Sequence, residues 1–157
     1  MKTKLAHALP VLATFILAVA PLQAHANRCS QASAAGNWAY TYTGTIFTAS
    51  GPVSAAAVGH YKQDAEGNAA GSQTRSVGGV AAVEDVVGTI AINKDCTGTA
   101  TVKVFVNGQL QRTAVLALAY DSDGNHIRMI FQSLTLPDNT NVPVVLTFDG
   151  NRLFNKD

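Results

Sequence analysis

From residue 36 onward, apolar and polar residues alternate with a period of two in a succession of short runs. The clearest run is 99–106, where Ala100, Val102, Val104 and Val106 fall on one side and Thr99, Thr101, Lys103 and Phe105 on the other. That alternation is the pattern of a strand with one buried face. Trp38, Tyr40 and Tyr42 share one parity in the first run, and Val142, Val144, Leu146 and Phe148 share one in the last. Clusters of Gly, Asn, Asp and Pro punctuate the runs at 49–52, 64–68, 76–79, 93–98, 107–108, 121–125, 137–141 and 149–151. These residues tolerate positive φ or favour tight turns. Asn107-Gly108 between two apolar runs is the strongest of these signals, because Asn-Gly suits a two-residue type I′ hairpin turn. No stretch after residue 27 combines helical periodicity with caps, although a single helical turn fits at 30–35 or at 55–58. The pattern predicts an all-β domain of about eight strands, closed as an antiparallel up-and-down barrel so that no sheet edge is left exposed. A two-sheet β-sandwich is the alternative.

The first residues follow a different rule. Lys2 and Lys4 precede an apolar stretch over 9–22, and small residues follow at Ala24 and Ala26, the three-part layout of a cleavable signal peptide. The stretch is shorter than the roughly twenty apolar residues that a membrane-spanning helix needs, so no stable membrane anchor is expected. The reading is a signal peptide over 1–26, a single barrel domain over 27–157, and a periplasmic or secreted destination. The 157-residue chain carries 11 Lys+Arg against 10 Asp+Glu, and two of those lysines lie in the leader. Such a near-neutral chain lacks the basic field that nucleic-acid binding requires. Cys29 and Cys96 are the only two cysteines, and in an oxidising compartment they are expected to form a structural disulfide.

Two local features resemble a known group. Gly36-Asn37-Trp38 is a G-x-W at the start of the first strand, as in lipocalins and the wider calycin group. There it plugs the closed end of the barrel, and an arginine near the last strand commonly covers the tryptophan. The resemblance implies that Trp38 and Arg152 form this plug. The stretch Gly88-Thr89-Ile90-Ala91-Ile92-Asn93-Lys94-Asp95-Cys96-Thr97-Gly98-Thr99 is similar to a signature of small secreted bacterial barrels of calycin-like, lipocalin-like or allene-oxide-cyclase-like type. Physically it reads as a hairpin. Asn93 and Asp95 serve turn backbone groups, Gly98 takes a conformation closed to other residues, and Cys96 tethers the N-terminal lead.

The chemistry to be placed in such a barrel is sparse. The chain has no G-x-S-x-G elbow, no H-E-x-x-H and no glycine-rich phosphate loop, and no metal or cofactor is expected. The 121–125 run (DSDGN) lacks a glutamate at the position an EF-hand loop requires, where Gln132 stands, and reads as a turn. His60 and His126 are isolated histidines. Of the adjacent acids Glu84 and Asp85, only one can point into a barrel; buried with a raised pKa beside a histidine or tyrosine, it could serve as a general acid or base. The candidate ligand-binding residues are the aromatics Tyr40, Tyr42, Tyr61, Phe105, Tyr120 and Phe131, because aromatic walls suit small apolar molecules. Many strand positions are Ala or Gly, and their facing decides whether the interior is open or filled. The chain therefore reads as an exported barrel that binds a small apolar molecule, with no catalytic residue assigned. The alternatives are an isomerase- or cyclase-type barrel enzyme, or a filled barrel acting through its outer surface as an interaction or inhibitor module. Ligand identity and oligomeric state stay open.

Overall fold

The computed structural model describes residues 29–121 and 123–153; the signal peptide expected over 1–26 lies outside them. A four-residue helix, α1 (Gln31–Ala34), precedes eight strands: β1 (Gly36–Thr48), β2 (Gly51–Gln63), β3 (Asn68–Val77), β4 (Val80–Ile92), β5 (Thr97–Val106), β6 (Gln109–Tyr120), β7 (His126–Thr135) and β8 (Val144–Arg152). Each strand pairs antiparallel with the next, and β8 returns to β1 over Trp38↔Arg152 to Ile46↔Val144, so the sheet is a closed up-and-down barrel. Closure satisfies the backbone groups that a flat meander would leave bare on its two edges.

Two ends of the barrel differ. At one end the strands are joined by short turns at 49–50, 78–79 and 107–108 and by the 136–143 loop. Asn107 (φ 50°) and Gly108 (φ 75°) both adopt positive φ, as a type I′ turn requires. At the other end lie α1, the 64–67, 93–96 and 121–125 connections and the end of β8. Helix α1 is set by a capping box in which Ser30 and Ser33 exchange hydrogen bonds, and the Gln31 amide ties it to the backbone of Ile90 and Ile92 on β4. Cys29 is bonded to Cys96 across a sequence separation of 67, which fastens the N-terminal lead to the β4–β5 turn. Thus the helical turn falls at 31–34, and 55–58 is strand.

Two sequence expectations are corrected in detail. The 149–151 cluster is not a break, because β8 runs through it to Arg152. At the β4–β5 turn the residue with positive φ is Cys96 (69°) rather than Gly98. Gly98 is needed for close approach, since a Cβ there would stand 2.1 Å from the Ala91 carbonyl oxygen. Asp95 does serve the turn, accepting from the Thr97 amide at 3.1 Å.

Candidate functional site: an internal cavity with a charged wall

The facing of the small residues decides the interior. Ala55, Ala57, Ala100 and Ala114 turn inward and are buried, whereas Ala56, Ala91 and Ala119 turn outward. Small side chains on the inner face of an eight-stranded barrel leave room for one small ligand. The result is a cavity of about 310 Å³, at the lower end of the roughly 300–1,000 Å³ range of ligand pockets.

Its floor is aromatic. Trp38 is fully buried and stacks with Tyr61 (centroids 6.3 Å apart), while Tyr120 meets it edge-on at 5.6 Å. From below, the Trp38 Nε1–H donates to the Ala34 carbonyl at 3.0 Å, and the Arg152 guanidinium lies 4.9 Å from the ring centroid. Higher in the barrel Tyr40 stacks on Phe148 at 4.5 Å, and Tyr42 meets Phe131 edge-on at 5.6 Å. Gly59 makes room for this arrangement: a Cβ there would come within 2.8 Å of the Tyr40 ring. Leu116, Met129 and Leu146 continue the apolar wall.

Of the six aromatic residues expected to line a site, Tyr40, Tyr42, Tyr61 and Phe131 line the cavity. Tyr120 does not line the cavity and packs edge-on against Trp38 beneath it. Phe105 is not among the lining residues; it follows Val104 where the β5–β6 register shifts. The Tyr61 hydroxyl is buried without a hydrogen-bond partner among the described residues. Burial raises the pKa values of Tyr40, Tyr61 and Tyr120, so these hydroxyls are neutral donors in any ordinary buffer.

The part nearer the short turns holds a polar network that period-two reasoning half revealed. Glu84 points inward and is 1 % exposed, while its neighbour Asp85 is exposed. Around Glu84 the inward parity of β3 and β6 brings Gln73, Arg75 and Arg112. Its Oε1 accepts from Arg75 Nε at 2.8 Å and Arg112 Nη1 at 2.9 Å. Its Oε2 accepts from Gln73 Nε2 at 2.7 Å and from Arg112 Nη2. Gln73 in turn accepts from the Tyr40 hydroxyl at 2.8 Å. Burial pushes the Glu84 carboxyl up, but the hydrogen bonds and charges of Arg112 and Arg75, with Gln73, outweigh it and hold the pKa down at about 2. This corrects the expectation of a buried carboxyl with a raised pKa. Arg75, Arg112 and Gln73 were missed from sequence, although each sits on the inward parity of its strand among apolar or small residues.

The histidines are apart. His60 is exposed on β2, with β1 and β8 lying between it and His126 on β7. His126 is held between Asp121 (3.0 Å) and Asp149 (2.9 Å), closing the β6–β7 turn onto β8. Among the described residues no group of three His, Cys, Asp or Glu side chains could hold a metal ion.

Fold and site together define a closed eight-stranded antiparallel barrel with an aromatic-floored internal cavity. No family model and no curated protein matches the chain. Among solved structures it is similar to the S-type phycobiliprotein lyase CPES from Guillardia theta, with 10 % identity and a TM-score of 0.43 over 78 % of this chain and 89 % of that one.

Proposed function

We propose that this protein is an exported, calycin-like barrel that binds one small, largely apolar molecule in its interior. The observation that carries the reading is the 310 Å³ cavity, walled by Tyr40, Tyr42, Tyr61, Leu116, Phe131 and Phe148. Apolar and aromatic walls with a few placed polar groups are what small-molecule sites are made of. Export is supported by the leader-like layout over 1–26 and by the Cys29–Cys96 disulfide, a bond that persists in oxidising compartments. The G-x-W start and the packing of Arg152 against Trp38 support the calycin-like assignment. A filled-barrel surface module lacks support, because the interior is open. An isomerase reading would have to run through a group other than Glu84, whose two oxygens already accept four hydrogen bonds.

Native mass spectrometry of the protein purified from its own exported fraction tests the reading. A stoichiometric small molecule released on denaturation is expected, together with a mature N-terminus near Asn27. Protein that carries nothing and takes up no apolar probe would refute it.

A further inference from the structure

The charges of the cavity wall say more about the ligand than its apolar lining does. Arg75 and Arg112 are the charged side chains lining the cavity among the described residues; Glu84 bonds to both but does not line it. Two guanidinium groups against one carboxylate leave one positive charge in an otherwise neutral chamber. Arg112 spends both terminal nitrogens on Glu84. Arg75 uses only Nε, so the outer fork of its guanidinium, Nη1 and Nη2, is uncommitted among the described residues. That fork is the geometry that receives a carboxylate through two parallel hydrogen bonds.

On the reading that the cavity binds a small molecule, we infer that its ligand is a monocarboxylate with an apolar body, its acid group on Arg75 beside Arg112 and its body directed toward the Trp38–Tyr61 floor. The placement follows from the strands. Arg75 lies near the end of β3, Glu84 near the start of β4 and Arg112 near the start of β6, all on the side of the short turns, while the aromatic floor is at the opposite end. A wholly apolar occupant would strip solvent from the Arg75 fork and return nothing, which is costly for a charged donor. A cation would meet the net positive charge, with the oxygens of Glu84 already filled.

Calorimetric titration of the mature, disulfide-bonded protein with decanoate, decanol and decyltrimethylammonium tests this, because the three share a body and differ in head. Decanoate is expected to bind roughly tenfold or more tightly than decanol, as a charge-assisted hydrogen bond implies, and the ammonium most weakly. Arg75→Gln should bring decanoate down to the level of decanol, and Arg75→Lys should restore part of the difference. If decanol or the ammonium binds as well as decanoate, the cavity is a binding site and the carboxylate inference fails. If none of the three binds, the binding reading itself fails. Should Arg75→Gln lower the melting temperature too far for titration, the head-group series on the unaltered protein decides alone.

Discussion

Arg152, the last residue of β8, lies across the face of Trp38 on β1, and the two are also direct partners in the strand register. The same guanidinium donates to the carbonyls of Ala35 (2.7 Å), Ser33 (2.6 Å) and Gly124 (3.3 Å). One side chain therefore joins the final strand, the lead-in to the first strand, the β6–β7 turn and the ring that seals the floor.

Trp38→Ala should cost about 3–5 kcal/mol, the usual loss for a large buried aromatic. Arg152→Ala should cost about 1.5–3 kcal/mol through its charged hydrogen bonds. Because both act on the same contact, the double variant should be less destabilised than the two single losses added together. Urea unfolding of the four proteins measures this; strict additivity would show that Arg152 does not act through the ring.

Reducing the Cys29–Cys96 bond, or replacing both cysteines by serine, should lower stability by roughly 4 kcal/mol at most, given a closed loop of that length. The intact mass should rise by about two hydrogens on reduction. Beyond this global loss, the release of α1 and the N-terminal lead from the β4–β5 turn should make local opening easier there, so hydrogen exchange should quicken at 29–36 more than along β5. Uniform quickening would contradict that placement.

Glu84 sets the acid limit of the fold. Its folded-state pKa of about 2 lies below the ordinary 4.5, so its contribution is fully present above about pH 4.5 and is lost as pH falls from there through about 2. The melting temperature should fall steeply across that window. Glu84→Gln should cost roughly 3–5 kcal/mol at neutral pH, because it leaves two arginines without their anion, and should flatten the acid dependence. An unchanged pH profile in that variant would remove Glu84 from this role.

Ala100 is 1 % exposed and lines the cavity. Ala100→Leu fills space rather than displacing packed atoms, so the melting temperature should hold or rise. Binding of decanoate should fall by at least about tenfold. Retained binding would move the ligand away from β5.

Much of the architecture was legible because a strand's alternation and a turn's composition are local. The 99–106 run, the Asn107-Gly108 hairpin and the Trp38–Tyr40–Tyr42 parity all reappear as read. The end of β8 did not, because Gly150 satisfies a packing need: a Cβ there would stand 2.9 Å from both Ile127 and Phe148. In sequence such a glycine looks like a turn. Of the aromatic half of the cavity wall, Tyr40, Tyr42, Tyr61 and Phe131 were visible for the same local reason, whereas Phe105 and Tyr120, read alike, do not line it. The charged half was not, because Arg75, Glu84 and Arg112 sit on three different strands. Only the register brings them together, through pairs such as Arg75↔Ala82 and Val104↔Arg112. A charged residue on an otherwise apolar parity is the clue such a network leaves in a sequence, and the adjacent acids Glu84 and Asp85 show it less plainly because either could face inward.

The β1–β8 pairing brings Cys29 and Leu153 to the same end of the barrel, the first through its bond to the β4–β5 turn and the second through a hydrogen bond to the Asn37 carbonyl. A fusion partner, affinity tag or surface tether attached on either side would therefore hang beneath the sealed base and leave the side of the short turns unobstructed. The same placement makes the barrel suited to circular permutation: linking Leu153 to Cys29 and reopening the chain at Gly78-Gly79 would move the break to the opposite end without cutting any strand.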